Sequence, residues 1–330
     1  MNLKAFARFA IKKVSGAAIT LFTIICVSFI LFRLAPGDPI RLMFLDPRVP
    51  PDEIVGMYER FGLDKTLWQQ FIAFLRQLFL YGDLGFSFWQ RRPVMNVVAE
   101  RIPQTLLLTL TALVIAVIMG IIFGAIAGWK TGSKTDVSIL SIALILSSIP
   151  AFCMGILLLL SFAIGLPLFP IGGRITAASM LTGFAHWRDV LLHLVLPASA
   201  VGCLYFGTYV ILTRGAMQDV MGQDYITSAM AKGIKESAVL RRHALRNAIL
   251  PVITLTGVSI AYCIAGTVQI ETVFSYPGVG LLLYQSVMNR DYPVLQGAFL
   301  VLSIAVVLAN LTVDLIYGRI DPRIVIGVGQ

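Results

Sequence analysis

Gly128-Trp-Lys-Thr-Gly-Ser-Lys-Thr135 has the letters of a phosphate-binding loop. It lacks the spacing that lets successive backbone N–H groups converge on phosphate, so nucleotide binding by that route is not expected. His186 and His193, seven residues apart, could start a metal site, but two ligands are too few to complete one. Packing near a membrane interface is the better reading of the pair. The sequence holds no HExxH, no GxSxG with a histidine in reach and no carboxylate pair inside an apolar run. Cys26, Cys153, Cys203 and Cys263 stand far apart inside apolar runs, with no CxxC, and read as thiols packing as small hydrophobes. No catalytic, metal or cofactor site is expected, and an enzyme has no candidate centre.

The elements around these residues are membrane elements. Of 330 residues, 58% are hydrophobic and 13% charged, where soluble domains carry about 25% charged residues. Six segments, Val14–Phe32, Ile102–Trp129, Val137–Ile164, Leu191–Thr213, Ala248–Ile270 and Val294–Val313, contain no Asp, Glu, Lys or Arg, and each approaches the roughly 20 apolar residues of a spanning helix. The expected fold is all-α and polytopic, with six transmembrane helices. The first run is too long for the apolar core of a signal peptide and is read as a retained span. Ala116, Gly120, Gly124 and Gly128 recur every four residues, a small-residue face suited to close helix packing. Ser147, Ser148, Thr254, Thr256, Ser259 and Gln269 are polar groups within runs, read mainly as hydrogen bonds between helices.

Charge sets the orientation. The N-terminus, the 129–136 loop, the 214–247 loop and the C-terminus carry 14 Lys and Arg; the short loops opposite carry three, Arg174, Arg188 and Arg290. Both termini are therefore expected in the cytoplasm. The net charge of +9 is a topology signal, with lipid as its partner and no nucleic acid. Ionisable residues such as Arg33, Glu271 and Asp314 lie only at run ends, so coupling to an ion gradient is unsupported. Residues 1–35 read as the N-terminus and first span, 36–101 as an extracytoplasmic segment, and 102–330 as a five-helix core. In the outer segment, Ala35-Pro-Gly-Asp-Pro39 should end the first helix, amphipathic helices should form near Pro51–Phe61 and Leu67–Leu80, and Gly82-Asp-Leu-Gly-Phe-Ser87 should be a loop.

The 214–247 segment is the chain's most specific feature. Asp224 is expected to cap a short helix over Tyr225–Lys232, and Gly233 to stop it. Tyr225, Ile226, Ala229, Met230 and Gly233 share one face at helical spacing. So short a helix is marginal alone and must dock in a groove, of this chain or of another.

Asp224-Tyr-Ile-Thr-Ser-Ala-Met-Ala-Lys-Gly233, followed by Arg242-His-Ala-Leu-Arg-Asn-Ala-Ile-Leu-Pro251, resembles the EAA loop of ABC-importer permeases, in the variant of the dipeptide, oligopeptide and nickel family. Thr227 and Ser228 replace the Glu and Ala of the general pattern. Leu34-Ala-Pro-Gly-Asp-Pro39, Phe61-Gly-Leu-Asp64, Gly82-Asp-Leu-Gly85, Pro103-Gln-Thr-Leu106, Glu271-Thr-Val-Phe-Ser-Tyr-Pro-Gly-Val-Gly280, Arg290-Asp-Tyr-Pro293 and Asp321-Pro-Arg323 resemble the family's blocks, in order. The resemblance implies a type I importer permease in a bacterial inner membrane. Its partners would be a second, related permease, two ATP-binding subunits that hold the ATP and magnesium, and an extracytoplasmic binding protein. It implies ATPase coupling through Tyr225, Ile226, Ala229, Met230, Lys232, Gly233 and Ile234. Glu271, Pro277 and Gly278 would lie on the outer substrate pathway. The expected cargo is peptide; a nickel chelate or a glutathione-like solute is the alternative within the same machine, and a self-sufficient secondary transporter the alternative outside it.

Overall fold

The computed structural model describes residues 3–34, 65–87, 89–177, 181–263 and 267–320. Four stretches read from sequence lie outside them: the turn after the first helix, the Pro51–Phe61 helix, Phe61–Asp64 and Asp321–Arg323. The regular structure of the described residues is helical apart from one antiparallel ladder, Phe86–Ser87 (β1) on Arg92–Pro93 (β2). It forms two compact units, Met1–Gln104 with Gly278–Gln330, and Thr105–Pro277.

In the first unit, α1 (Leu3–Leu34) lies antiparallel to the last helix, Tyr292–Ile320. Lys13 Nζ sits 2.8 Å from Asp314 Oδ2, the rings of Phe32 and Phe299 are 6.3 Å apart, and a Cβ on Gly318 would meet the Phe9 ring. The expected second outer helix is α2 (Leu67–Arg76). Thr66 and Gln69 close a capping box around its first turn, and Phe71 and Phe74 pack on Phe29. A π-helical turn, Gln77–Tyr81, ends at left-handed Gly82. Leu84, Val94, Val98, Val279, Leu282 and Leu300 are among the core residues of this unit.

Helix α3 (Val94–Trp129) begins eight residues before its apolar run, and the boundary between the units falls within it. The third apolar run is not one straight helix. It is α4 (Lys134–Ser148) and α5 (Ala151–Leu158, continued by a π-helical turn to Gly165), bent by 101°. Pro150 cannot donate a backbone hydrogen bond and forces the residue before it out of helical geometry; Ile149 is extended at φ −76°, ψ 125°. Next come α6 (Gly183–Met221), α7 (Asp224–Ala231), α8 (Glu236–Ala238), a π-helical turn Val239–Ala244, α9 (Leu245–Cys263) and α10 (Val268–Val273). Then α11 (Val279–Met288) and α12 (Tyr292–Ile320) return to the first unit. Four described helices are long and apolar enough to span a membrane, and the bent pair makes a fifth candidate. The 248–270 run is divided between α9 and α10. Ile118, Ile122, Ile142, Ile145, Leu250 and Ile253 are exposed, a surface that suits lipid rather than water.

The glycine face of α3 is a helix contact. Cβ atoms built on Gly120, Gly124 and Gly128 would collide with Tyr209, Thr213 and Met217 of α6, so both helices offer every fourth residue to one seam. Most polar groups in the runs do not bridge helices. The hydroxyls of Ser147, Ser148, Thr254 and Thr256 donate to carbonyls one turn back in their own helices. That local bond is the nearest partner for a short side chain where no water reaches. Tyr209 donating to Ser259 at 3.0 Å does cross between helices, whereas Gln269 is exposed.

Candidate functional site

The 214–247 segment starts on the last turns of α6. Its 39 residues give a contour of about 58 Å at 1.5 Å per residue, against a hydrocarbon core of about 30 Å. Gly222 ends it, and α7 follows after one extended residue, Gln223 (φ −86°, ψ 143°). Gln223, not Asp224, is therefore the N-cap; Asp224 sits in the first turn, where its charge suits the helix dipole. The stop is a complete Schellman motif. Gly233 donates to the Met230 carbonyl at 2.9 Å and Ile234 to the Ala229 carbonyl at 3.4 Å, with Gly233 left-handed at φ +73°. Open space surrounds a Cβ there, so Gly233→Ala meets only the left-handed backbone penalty of about 1–2 kcal/mol. The expected result is a frayed α7, read as faster hydrogen exchange at Lys232–Ile234 with unchanged exchange in α6.

The expected apolar face divides. Ile226 and Ala229 are buried in this chain's own groove, with Ala125, Met217, Val239, Ala244 and Ala248. The groove sought for the short helix is thus internal for these two residues. Tyr225 and Met230 flank that stripe at 40% exposure each, and Ile234 is 38% exposed. Lys232 and Gly233 are also exposed. The Tyr225 hydroxyl accepts from Asn247 Nδ2 at 2.7 Å, tying α7 to α9.

Beside this groove lies an ion pair that sequence reading missed. Arg214 Nε and Nη2 donate to Asp136 Oδ1 and Oδ2 at 2.6 and 2.8 Å. Gly132 N–H donates to the same carboxylate at 2.9 Å, and Ser133 caps the turn above it. Gln218 links Arg214 to Thr131. The Asp136 side chain is only 3% exposed. The clue was an acid standing alone between a capping serine and an apolar run; Arg214 counted only as a topology charge.

Glu271 is fully buried within α10, accepting from Thr105 at 2.8 Å and Thr267 at 2.9 Å. Pro277 is partly buried and Gly278 buried; Gly278 opens α11. Burial pushes the Tyr276 phenol up to about 12, so it stays neutral at working pH. His193 Nδ1 lies 2.8 Å from the Asp189 carbonyl oxygen, while the Asp189 carboxylate accepts from Thr176 N and Oγ1. Among the described residues no three His, Cys, Asp or Glu could jointly hold a metal.

Two family models match the chain. Residues 120–326 match the binding-protein-dependent transport system inner membrane component, and residues 6–109 match the N-terminal part of such membrane components. The dipeptide transport system permease protein of Escherichia coli (strain K12) is 35% identical, the match covering 96% of this chain and 98% of that protein. The oligopeptide transport system permease protein of Bacillus subtilis (strain 168) is 36% identical over 96% and 99%. The glutathione transport system permease protein of Escherichia coli O6:H1 is 36% identical over 96% and 98%.

Proposed function

Since the chain belongs to the family of binding-protein-dependent transport system inner membrane components and is a permease subunit of an ABC importer in a bacterial inner membrane, we propose that it passes short peptides, driven through the exposed side of α7. The cargo reading rests on relatives named for dipeptides and oligopeptides; glutathione, the cargo in a third relative's name, is itself a small peptide. The subunit works with two ATP-binding subunits, which carry the nucleotide chemistry, a related second permease and a binding protein outside. It crosses the membrane six times. The antiparallel pairing of α1 with α12 supports an even number of crossings, because it brings both helix ends to one side, and the Lys and Arg distribution supports the cytoplasm as that side.

One observation carries the coupling reading. Helix α7 is anchored on this chain through Ile226 and Ala229, yet leaves Tyr225, Met230 and Ile234 open beside Lys232. Apolar side chains held rigidly outward are what a docking cleft takes up.

The test separates the two faces. Met230→Asp with Ile234→Asp should leave the chain's thermal unfolding unchanged. The ATP-binding subunits should no longer co-purify, and ATP-dependent uptake should fall by about tenfold or more, as for loss of an interface anchor. Ala229→Glu buries a charge in the chain's own groove, so it should lower stability as well. Full uptake and full co-purification in the double variant would remove α7 from the coupling surface. Uptake abolished by collapsing an ion gradient, yet indifferent to ATP, would point to a secondary transporter.

A further inference from the structure

In the first unit, the turn after β1, α11 and the residues leading into α12 border a cavity of about 230 Å3, lined by Trp89, Gln90, Leu282, Gln285, Ser286, Asn289 and Asp291. Gln90, Gln285, Ser286, Asn289 and Asp291 bring polar groups to its wall, and Leu282 ties it to the core of this unit. At its base is Asp291, 5% exposed. Asp291 Oδ2 accepts from the Ser87 hydroxyl at 2.5 Å, whereas the buried Oδ1 has no hydrogen-bond partner among the described residues. The Ser286 hydroxyl is already committed to the Leu282 carbonyl. Gln285 and Asn289 are exposed at the mouth, and Trp89 is exposed beside them. A buried carboxylate oxygen without a donor is costly unless a ligand supplies one. Amide groups and an indole face at the opening complete the chemistry that receives a cation. The volume falls below the roughly 300–1,000 Å3 of sites that enclose a whole small molecule, so it fits one side-chain-sized group.

We propose that this cavity is a receptor for a single ammonium or guanidinium group on a flexible arm, with the Asp291 carboxylate as its acceptor. The inference rests on the reading that residues 36–101 and the Arg290–Pro293 turn face the outside. There the cationic group arrives either on the binding protein, as a Lys or Arg side chain, or on the peptide cargo.

The experiment uses Asn289→Cys in the full transporter, with the native cysteines replaced and Tyr81→Cys as an exposed control site. Intact cells are treated with impermeant thiol reagents of equal size, one carrying a quaternary ammonium and one a sulfonate. The expected result is a cation-to-anion rate ratio at Asn289→Cys that exceeds the control by about tenfold, as focused charge gives. The ratio should persist in Asp291→Glu and fall to the control value in Asp291→Asn. An equal ratio at the two sites overturns the receptor while leaving the topology intact. Modification only after permeabilising the cells overturns the topology on which it rests. In the purified complex, n-butylammonium should slow the cationic reagent at Asn289→Cys. Protection by cargo-free binding protein assigns the arm to that partner, and protection by a lysine-bearing peptide alone assigns it to cargo. Protection by neither overturns the proposal.

Discussion

Asp136→Ala is expected to destabilise the chain by about 3–5 kcal/mol, the usual penalty for stranding one partner of a buried ion pair. Arg214 would lose two charge-assisted bonds, and Gly132 N–H would lose its acceptor. The loss should show as a lower unfolding temperature in detergent and less chain in the membrane. Removing both charges with Asp136→Leu and Arg214→Met should cost less than the two single changes added together. An apolar pair leaves no uncompensated charge, and contacting residues are not additive. Gly132 would still lack its acceptor, so recovery should stop short of the native value. A double variant as damaged as the two singles combined would show that the pair does not act as a unit.

Gly120→Leu is the second substitution expected to be strongly destabilising. Even a Cβ at that position overlaps Tyr209, whose backbone lies just behind its own Cβ, so α3 and α6 can accept the change only by separating along the Gly120–Gly124–Gly128 seam. Overpacking of this kind costs about 1–3 kcal/mol, and more where backbone must shift. Gly120→Ala should already be harmful. Gly16→Ala is the matched control, because nothing lies within 4 Å of the added atom on α1; it should be neutral or slightly stabilising, as alanine is the better helix former. Equal membrane levels of the Gly16 and Gly120 alanine variants would show that the seam tolerates separation.

How much could be read from sequence followed the range of the interactions. Four of the six apolar runs, the glycine seam and the Gly233 stop are local patterns with direct counterparts in the structure. The capped helix at Leu67 also lies where its periodicity put it. Pro150 is an equally local signal of a break, set inside an unbroken apolar run. Hydropathy cannot register a bend, because a broken helix is as apolar as a straight one. Asp224 looked a better N-cap than Gln223 by residue type, yet the chain leaving Gly222 reaches its extended residue one position earlier. The division of α7 into a docked and an open side depends on Met217, Val239 and Ala248, which no spacing within α7 reveals. Asp136 and Arg214 are 78 residues apart, and Glu271 and Thr105 are 166 apart. Pairs of that kind are set by how helices cross and leave no trace in either local window.

The antiparallel pairing of α1 and α12 bears on how such a subunit can be joined to others. Two copies, or two related chains, whose ends emerge on the same side can be fused head to tail by a water-soluble linker. No additional crossing is needed to restore the second copy's orientation. A fused pair fixes one-to-one stoichiometry within a single polypeptide, and each half can then carry a different substitution. The duty of each α7 in a two-permease assembly becomes separable by mutating one half at a time.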